Sequence, residues 1–287
     1  MKKITILCYH FLINFFETII SLLSVILFSN LITVLKFKKH KNNLVKKDEC
    51  IILGNGPSLK SVLESNVLIK RNKDVLAVNF FFKSEYFELL KPKYYFLADT
   101  DIFNPLIERH INSVNEIVKT LNKVSWQMNL LIPSSKKRSK TLDKIINSNI
   151  KIVFLNTTPL SGSKSICHSL YKNNLGMPRA QTVINFAIFS AINLGYNKIN
   201  LFGVDHSWTK DLLVNDQNEV CYGDRHVYNT NLTVIKLEYP IHELLMSFSN
   251  MFKSHKQLRE YADKVNCSII NCTKDSFIDA YERDPLV

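Results

Sequence analysis

Glycine and proline are scarce in this chain, seven and eight of 287 residues, which argues against a disordered or low-complexity protein. The six cysteines (Cys8, Cys50, Cys167, Cys221, Cys267 and Cys272) form no CxxC pair and show no metal-ligand spacing. That pattern speaks against a zinc or disulfide framework and for buried thiols in a reducing compartment. No internal repeat is present. Acidic residues are the minority, 25 against 37 Lys and Arg, for a formal net charge of +12. Such an excess calls for an anionic partner: nucleic acid, a phospholipid surface or a phosphorylated substrate. No RNP motif, zinc finger or basic zipper occurs, so nucleic acid is not expected. What is present is 46% hydrophobic and 22% charged residues, enough for a buried core in one large domain or two small ones.

Ile4 to Leu35 is almost continuously apolar, and its cleanest stretch, Thr18 to Leu35, has the 18 residues that a spanning helix needs at minimum. A signal peptide fits less well, because the apolar region is long and no small-x-small cleavage site follows it. A dense basic group comes next (Lys36, Lys38, Lys39, Lys41, Lys46, Lys47). Juxtamembrane lysines facing anionic lipid explain that group. Their excess over Lys2 and Lys3 keeps residues 36 onward in the cytoplasm, on the inner face of the membrane. Glu17 is costly at mid-bilayer, which leaves a monotopic or re-entrant arrangement open beside a single-pass one. The expected organisation is an anchor over 1–35, a charged linker over 36–49 and one domain over 50–287.

Within that domain short apolar runs alternate with helical patterns. Strands are expected at 50–53, 74–79, 94–99, 127–132, 150–155, 199–205 and 268–272. Helices are expected at 60–70, 107–124, 177–195 and 249–265, with Thr182 and Gly195 suited to start and stop the third of these. The alternation predicts an α/β fold whose mostly parallel sheet is covered on both faces. In such sheets ligands bind beyond the carboxyl ends of the strands. Those ends carry Gly54-Asn55-Gly56, Asn79, Asp99-Thr100-Asp101 and Asp205-His206.

The first of these has the strongest local chemistry. Cys50-Ile51-Ile52-Leu53-Gly54-Asn55-Gly56-Pro57-Ser58-Leu59-Lys60 reads as strand, tight turn and helix start, the geometry that brings backbone N–H groups to a phosphate. Gly54 and Gly56 permit a sharp turn, Pro57 suits a first helical turn, and Asn55 both donates and accepts. An ordinary βα turn uses the same residues. Asp99 and Asp101 have the Asp-x-Asp spacing that holds Mg²⁺ or Mn²⁺ against a diphosphate; a ribose contact or a helix cap is the simpler role, and no divalent metal is expected to be required. Arg179 stands where it could face an anion. His226 and His206, beside Asp205, are candidate general bases near neutral pH. The polar stretch Thr209–Gly223, within a broader 207–240 segment, is long enough for a lid.

The motifs Gly54-Asn55-Gly56-Pro57-Ser58-Leu59-Lys60, Asn79, Arg179 to Gly195, Gly203-Val204-Asp205 and Ile269-Ile270-Asn271-Cys272-Thr273 resemble the bacterial lipooligosaccharide sialyltransferases of glycosyltransferase family 42. The Gly-Asn-Gly-Pro-Ser-Leu run is shared with polysaccharide-locus proteins and hydroxymethylpterin diphosphokinase-like proteins. The resemblance implies a single Rossmann-like, doubly wound domain with a lid, membrane association, and a CMP-sugar donor bound without metal. It implies donor-nucleotide contacts from Gly54, Asn55, Gly56, Ser58 and Asn79, a sugar-phosphate pocket near Thr182, and His226 as base. It further implies a glycan or glycolipid acceptor. His206 and Trp208 stand where the family has a tyrosine pair. The rival expectations are an ATP- and Mg²⁺-dependent diphosphokinase using Asp99 and Asp101, and a non-catalytic nucleotide-binding protein of a glycan assembly complex.

Overall fold

A computed structural model of the chain describes residues 2–42, 47–65, 68, 73–106, 108–226 and 229–284. Its centre is one sheet built from β1 (Lys47–Leu53), β2 (Asp74–Val78), β3 (Tyr94–Phe96), β4 (Met128–Pro133), β5 (Ile150–Leu155), β6 (Tyr196–Phe202), β10 (Ser268–Asn271) and β11 (Glu282–Arg283). The spatial order is β11-β10-β6-β1-β2-β3-β4-β5, and every pairing is parallel. The seven runs expected as strands all lie in this sheet; β11, two residues long, is too short to announce itself.

Period-two alternation explains the layering. Cys50, Ile52, Leu76, Val78, Tyr94 and Phe96 turn to one face, while Ile51, Leu53, Val75, Ala77, Tyr95 and Leu97 turn to the other. Both sets are buried, so each strand reads as a continuous apolar run. The first face is covered by α2 (Leu31–Asn42), α5 (Lys164–Lys172), α6 (Val183–Leu194) and α7 (Ile241–Lys264). The second is covered by α3 (Leu59–Glu64), α4 (Glu108–Lys123) and short helical turns at Asn79–Lys83, Tyr86–Leu90, Thr100–Phe103 and Lys140–Asp143. The chain runs outward from β1 to β5 and then returns to place β6 on the other side of β1. That return makes the β1/β6 boundary the topological switch point, where a crevice opens at the strand ends.

Ahead of the sheet, α1 (Lys2–Phe28) is a single apolar helix whose Phe11–Phe28 stretch is long enough to cross a membrane. The sequence differs from the structure in the segment behind it. Residues expected as a charged linker over 36–49 continue α2 to Asn42 and enter β1 at Lys47, with 43–46 outside the described residues. Thr33, Phe37 and His40 recur at helical spacing and are buried, and α2 packs on β5. The lysines occupy the opposite face and hid this periodicity.

Two other boundaries move. The helix expected from 177 begins at Val183, because Thr182 caps it: Thr182 Oγ1 accepts from Asn185 N at 3.4 Å while Asn185 Oδ1 accepts from Thr182 N at 3.3 Å. Met177, preceding Pro178, pairs with Pro159 in a parallel bridge. Gly195 ends the helix at φ 94°, as expected. The polar lid segment is not an irregular loop but a three-stranded antiparallel sheet of β7 (Leu212–Val214), β8 (Val220–His226) and β9 (Asn229–Lys236). Asn215 makes its first turn, its Oδ1 accepting from Gln217 N and Glu219 N. α7, expected from 249, already starts at Ile241.

Candidate functional site

Two loops meet at the switch point. Gly54 N donates to Phe202 O at 2.8 Å and Gly56 N to Gly203 O at 2.9 Å, extending the β1–β6 ladder past the strands. Ser58 then closes on Asp205: its hydroxyl donates to Oδ2 at 2.7 Å and its N–H to Oδ1 at 3.3 Å. The glycines make this approach possible. A Cβ on Gly54 would overlap the Gly203 carbonyl, and one on Gly56 would overlap the Asp205 carboxylate. The turn was expected to offer its amides to a phosphate. Instead the N–H groups of Gly54, Gly56 and Ser58 are bonded to the β6 end, and those of Leu59 and Lys60 to Gly56 O and Pro57 O. The Asn55 N–H is not among these bonded groups, so what the turn offers to a ligand is that amide, its side chains and its shape.

Above these loops lies a cavity of about 1070 Å³. Asn55, Gly56, Pro57, Ser58, Asn79, Asp99, Asp101, Arg179, Thr182, Asp205 and His206 all line it, so four separate strand ends and the start of α6 converge on one space. Gly54 lies behind the lining, in the β1–β6 contact. His226 ends β8, and its side chain lies outside the described residues; β8 reaches the cavity wall at Gly223. Lys136, Trp208, Lys210 and Lys274 also line the cavity. The family resemblance already points to Trp208; the three lysines go unmarked because no periodicity singles them out.

Each polar strand end is braced. Asn55 Nδ2 donates to Val78 O at 3.1 Å, and its Oδ1 is a buried acceptor with no partner among the described residues. Asn79 has φ 42°, a left-handed conformation that asparagine tolerates. Its carbonyl accepts from Tyr95 OH at 2.6 Å and its Oδ1 from Ala98 N at 3.4 Å. Asp99 caps the Thr100–Phe103 turn, accepting from Asp101 N at 3.1 Å. Asp101 faces His110 Nδ1 at 3.4 Å. Among the described residues, no group of three His, Cys, Asp or Glu side chains gathers in metal-binding geometry.

Burial sets the electrostatics. It pushes the Asp205 carboxyl above its ordinary pKa, against the opposing pull of the Ser58 hydrogen bonds. Burial likewise raises Asp99, which its bond from Asp101 N partly offsets. His206, at φ 50°, is enclosed between Trp208, stacked at 4.9 Å, and His255 at 5.1 Å. Burial drops its pKa to about 3, so it is a neutral ring at pH 7. A group that weakly basic makes a poor general base. The C-terminal segment locks that loop from below. Thr273 Oγ1 accepts from Val204 N at 3.1 Å, Ser276 Oγ donates to Val204 O at 2.7 Å, and Asp205 O accepts from Phe277 N at 2.9 Å.

Charge in the cavity is mixed. Asp99, Asp101, Asp205, Asp211 and Asp275 face Lys136, Arg179, Lys210 and Lys274. The overall +12 therefore does not reside here. No known protein family and no curated protein matches the sequence.

Proposed function

We propose that the protein is a membrane-held glycosyltransferase, sialyltransferase-like in mechanism, that moves a sugar from a nucleotide donor to a glycan or glycolipid acceptor. The observation that carries this reading is the switch-point cavity, where the Gly54–Ser58 turn, the Asp205 loop and the Thr182 cap of α6 meet over a volume suited to a nucleotide sugar. Asn55 Oδ1, without a partner among the described residues, is an acceptor for a base or ribose donor group. A CMP-sugar is the favoured donor, and no divalent metal is required. Asp99 supports the metal-free form, because one of its oxygens already caps a helical turn.

In the reaction an acceptor hydroxyl attacks the anomeric carbon. The new carbon–oxygen bond forms as the bond to the donor phosphate breaks, the hydroxyl proton passes to His226, and the nucleotide leaves with the bonding pair. With the Gly54, Gly56 and Ser58 amides already bonded, charge on the leaving phosphate would be met by Arg179, Lys210 and Lys274. Lysines on α2 and the apolar α1 would hold the enzyme at the cytoplasmic side of the inner membrane, beside a lipid-borne acceptor.

A thermal-shift panel of CMP-, UDP-, GDP- and dTDP-sugars, each with and without Mg²⁺, tests the donor. Stabilisation by CMP-sugars alone, unchanged by Mg²⁺, is the expected result; stabilisation by ATP with a strict Mg²⁺ requirement would replace this reading with a diphosphokinase. His226→Ala should abolish transfer with donor stabilisation intact, and wild-type turnover by that variant sinks the assigned base.

A further inference from the structure

Thr18 and Ser21 of α1, with Ser29 just past its end, lie along one line that faces the protein. Thr18 Oγ1 accepts from Ser163 N at 2.8 Å. One turn on, Ser21 Oγ donates to Ser161 O and accepts from Ser161 N, each at 2.8 Å. Val25 packs against the main core, and Ser29 Oγ bonds Thr158 Oγ1 at 2.8 Å and the Leu175 carbonyl. Asn30 N then donates to Asn156 Oδ1 at 3.0 Å, and Asn156 Nδ2 returns a bond to Asn30 O at 3.2 Å. Gly162, at φ 105°, is the seat: a Cβ there would overlap Thr18. The outer face is the reverse of a soluble helix. Phe11, Phe15, Phe16, Ile20, Leu23, Ile26, Leu27 and Phe28 are exposed, and the apolar strip continues through Leu31, Ile32 and Leu35 on α2. Lys36, Lys38, Lys39 and Lys41 follow, all exposed.

From Asn14 to Ser29 the helix is in contact with the domain along about 22 Å, at 1.5 Å per residue. The part ahead of that contact, Lys2–Ile13, reaches about 18 Å, short of the ~30 Å hydrocarbon core. Beside the docked part stands the exposed ion pair Lys164–Glu260, next to Ser163. A spanning helix would drag this pair and the Ser161–Ser163 loop into hydrocarbon. We infer that α1 and the start of α2 lie in a single leaflet of an anionic bilayer, apolar face in the acyl chains and lysines on the headgroups, with both chain ends on one side. Glu17, costly in a span, is then half-buried toward the domain near Cys167.

The arrangement also ties the membrane to the cavity. Thr157 and Pro159 line the cavity, while Thr158 and Ser161, interleaved with them, bind α1. One loop thus has the presumed donor site on one side and the membrane helix on the other. This deepens the anchor part of the reading above and does not depend on which group is transferred.

Sidedness of the full-length protein tests it. With an N-terminal epitope, protease added to intact spheroplasts should spare both epitope and domain, and protease added to inverted vesicles should cut both. Epitope loss from intact spheroplasts overturns the one-leaflet arrangement while leaving an anchor in place. With purified protein, phosphatidylcholine vesicles containing phosphatidylglycerol should bind at least tenfold more tightly than phosphatidylcholine alone. Phe11→Ser with Phe15→Ser should weaken that binding at least fivefold with Tm unchanged. Failure to bind any vesicle, or burial of the strip in a detergent-free homodimer, overturns both the anchor and its orientation.

Discussion

Two helices of this chain are nearly as apolar as each other, and they sit in opposite surroundings. α6 is the shorter, and every residue from Ile184 to Leu194 is buried, including Asn185, Ser190 and Asn193. Asn193 is held by Tyr171 O, Asn174 Oδ1 and the Tyr261 hydroxyl, and Ser190 Oγ by Phe186 O. α1 buries Thr18 and Ser21 and leaves Phe11, Phe15, Phe16 and Phe28 outside. The comparison teaches that apolar content says a helix must avoid water, while its polar residues say what it avoids water with. In α6 they point to protein on all sides. In α1 they point to protein on one side and leave the other side exposed.

The sharpest way to break this contrast is in α6. Phe186 is fully buried and meets Phe96 edge-on at 5.7 Å between ring centroids. Phe186→Ala should cost about 3–5 kcal/mol, read as a fall in the denaturant midpoint. A variant with the wild-type midpoint would show that α6 is not the keystone of this core. The middle case is the seat of α1. Gly162→Val places a branched side chain at positive φ and against Thr18, with a cost of about 1–3 kcal/mol. Limited proteolysis should then cut between α1 and α2 in detergent while the sheet domain stays intact; unchanged protection there would show that α1 is held by something other than this loop. The smallest effect belongs to the outer face of α1. Ile26 is 77% exposed, so Ile26→Ser should change folding stability in detergent by no more than about 0.5 kcal/mol. A clear loss of Tm would mean that the face has a protein partner.

A second contrast runs across the cavity. The Gly54–Ser58 turn was legible from residue types, and so was the convergence of Asn79, Asp99 and Asp205, because strand ends follow from apolar runs. Its chemistry was not. The sequence permits glycine amides to meet a phosphate or another loop, and only the register of β1 against β6 shows that they meet Gly203 and Phe202. His206 stood in the same position: its neighbours in sequence, Asp205 and Trp208, gave no sign that His255, from α7, closes over it and strips its basicity. Lys136 and Lys274 could not be singled out among 37 basic residues, since a charge in an irregular segment carries no period.

By itself the sequence determined the α/β class, the strands of the sheet, the cap at Thr182 with the stop at Gly195, and the long apolar N-terminal helix. These rest on local properties: period-two burial on two faces, capping chemistry and hydropathy, all fixed within a few residues of where they act. Tertiary structure decided the rest. It turned the expected linker into α2 by burying Phe37 and His40, folded the expected loop into a three-stranded sheet, spent the Gly54 and Gly56 amides on the β6 end, and docked Thr18, Ser21 and Ser29 on a loop more than a hundred residues away. The reason is physical. A backbone amide or a hydroxyl takes whichever partner the fold brings within about 3 Å, and which partner that is depends on the register of strands distant in sequence.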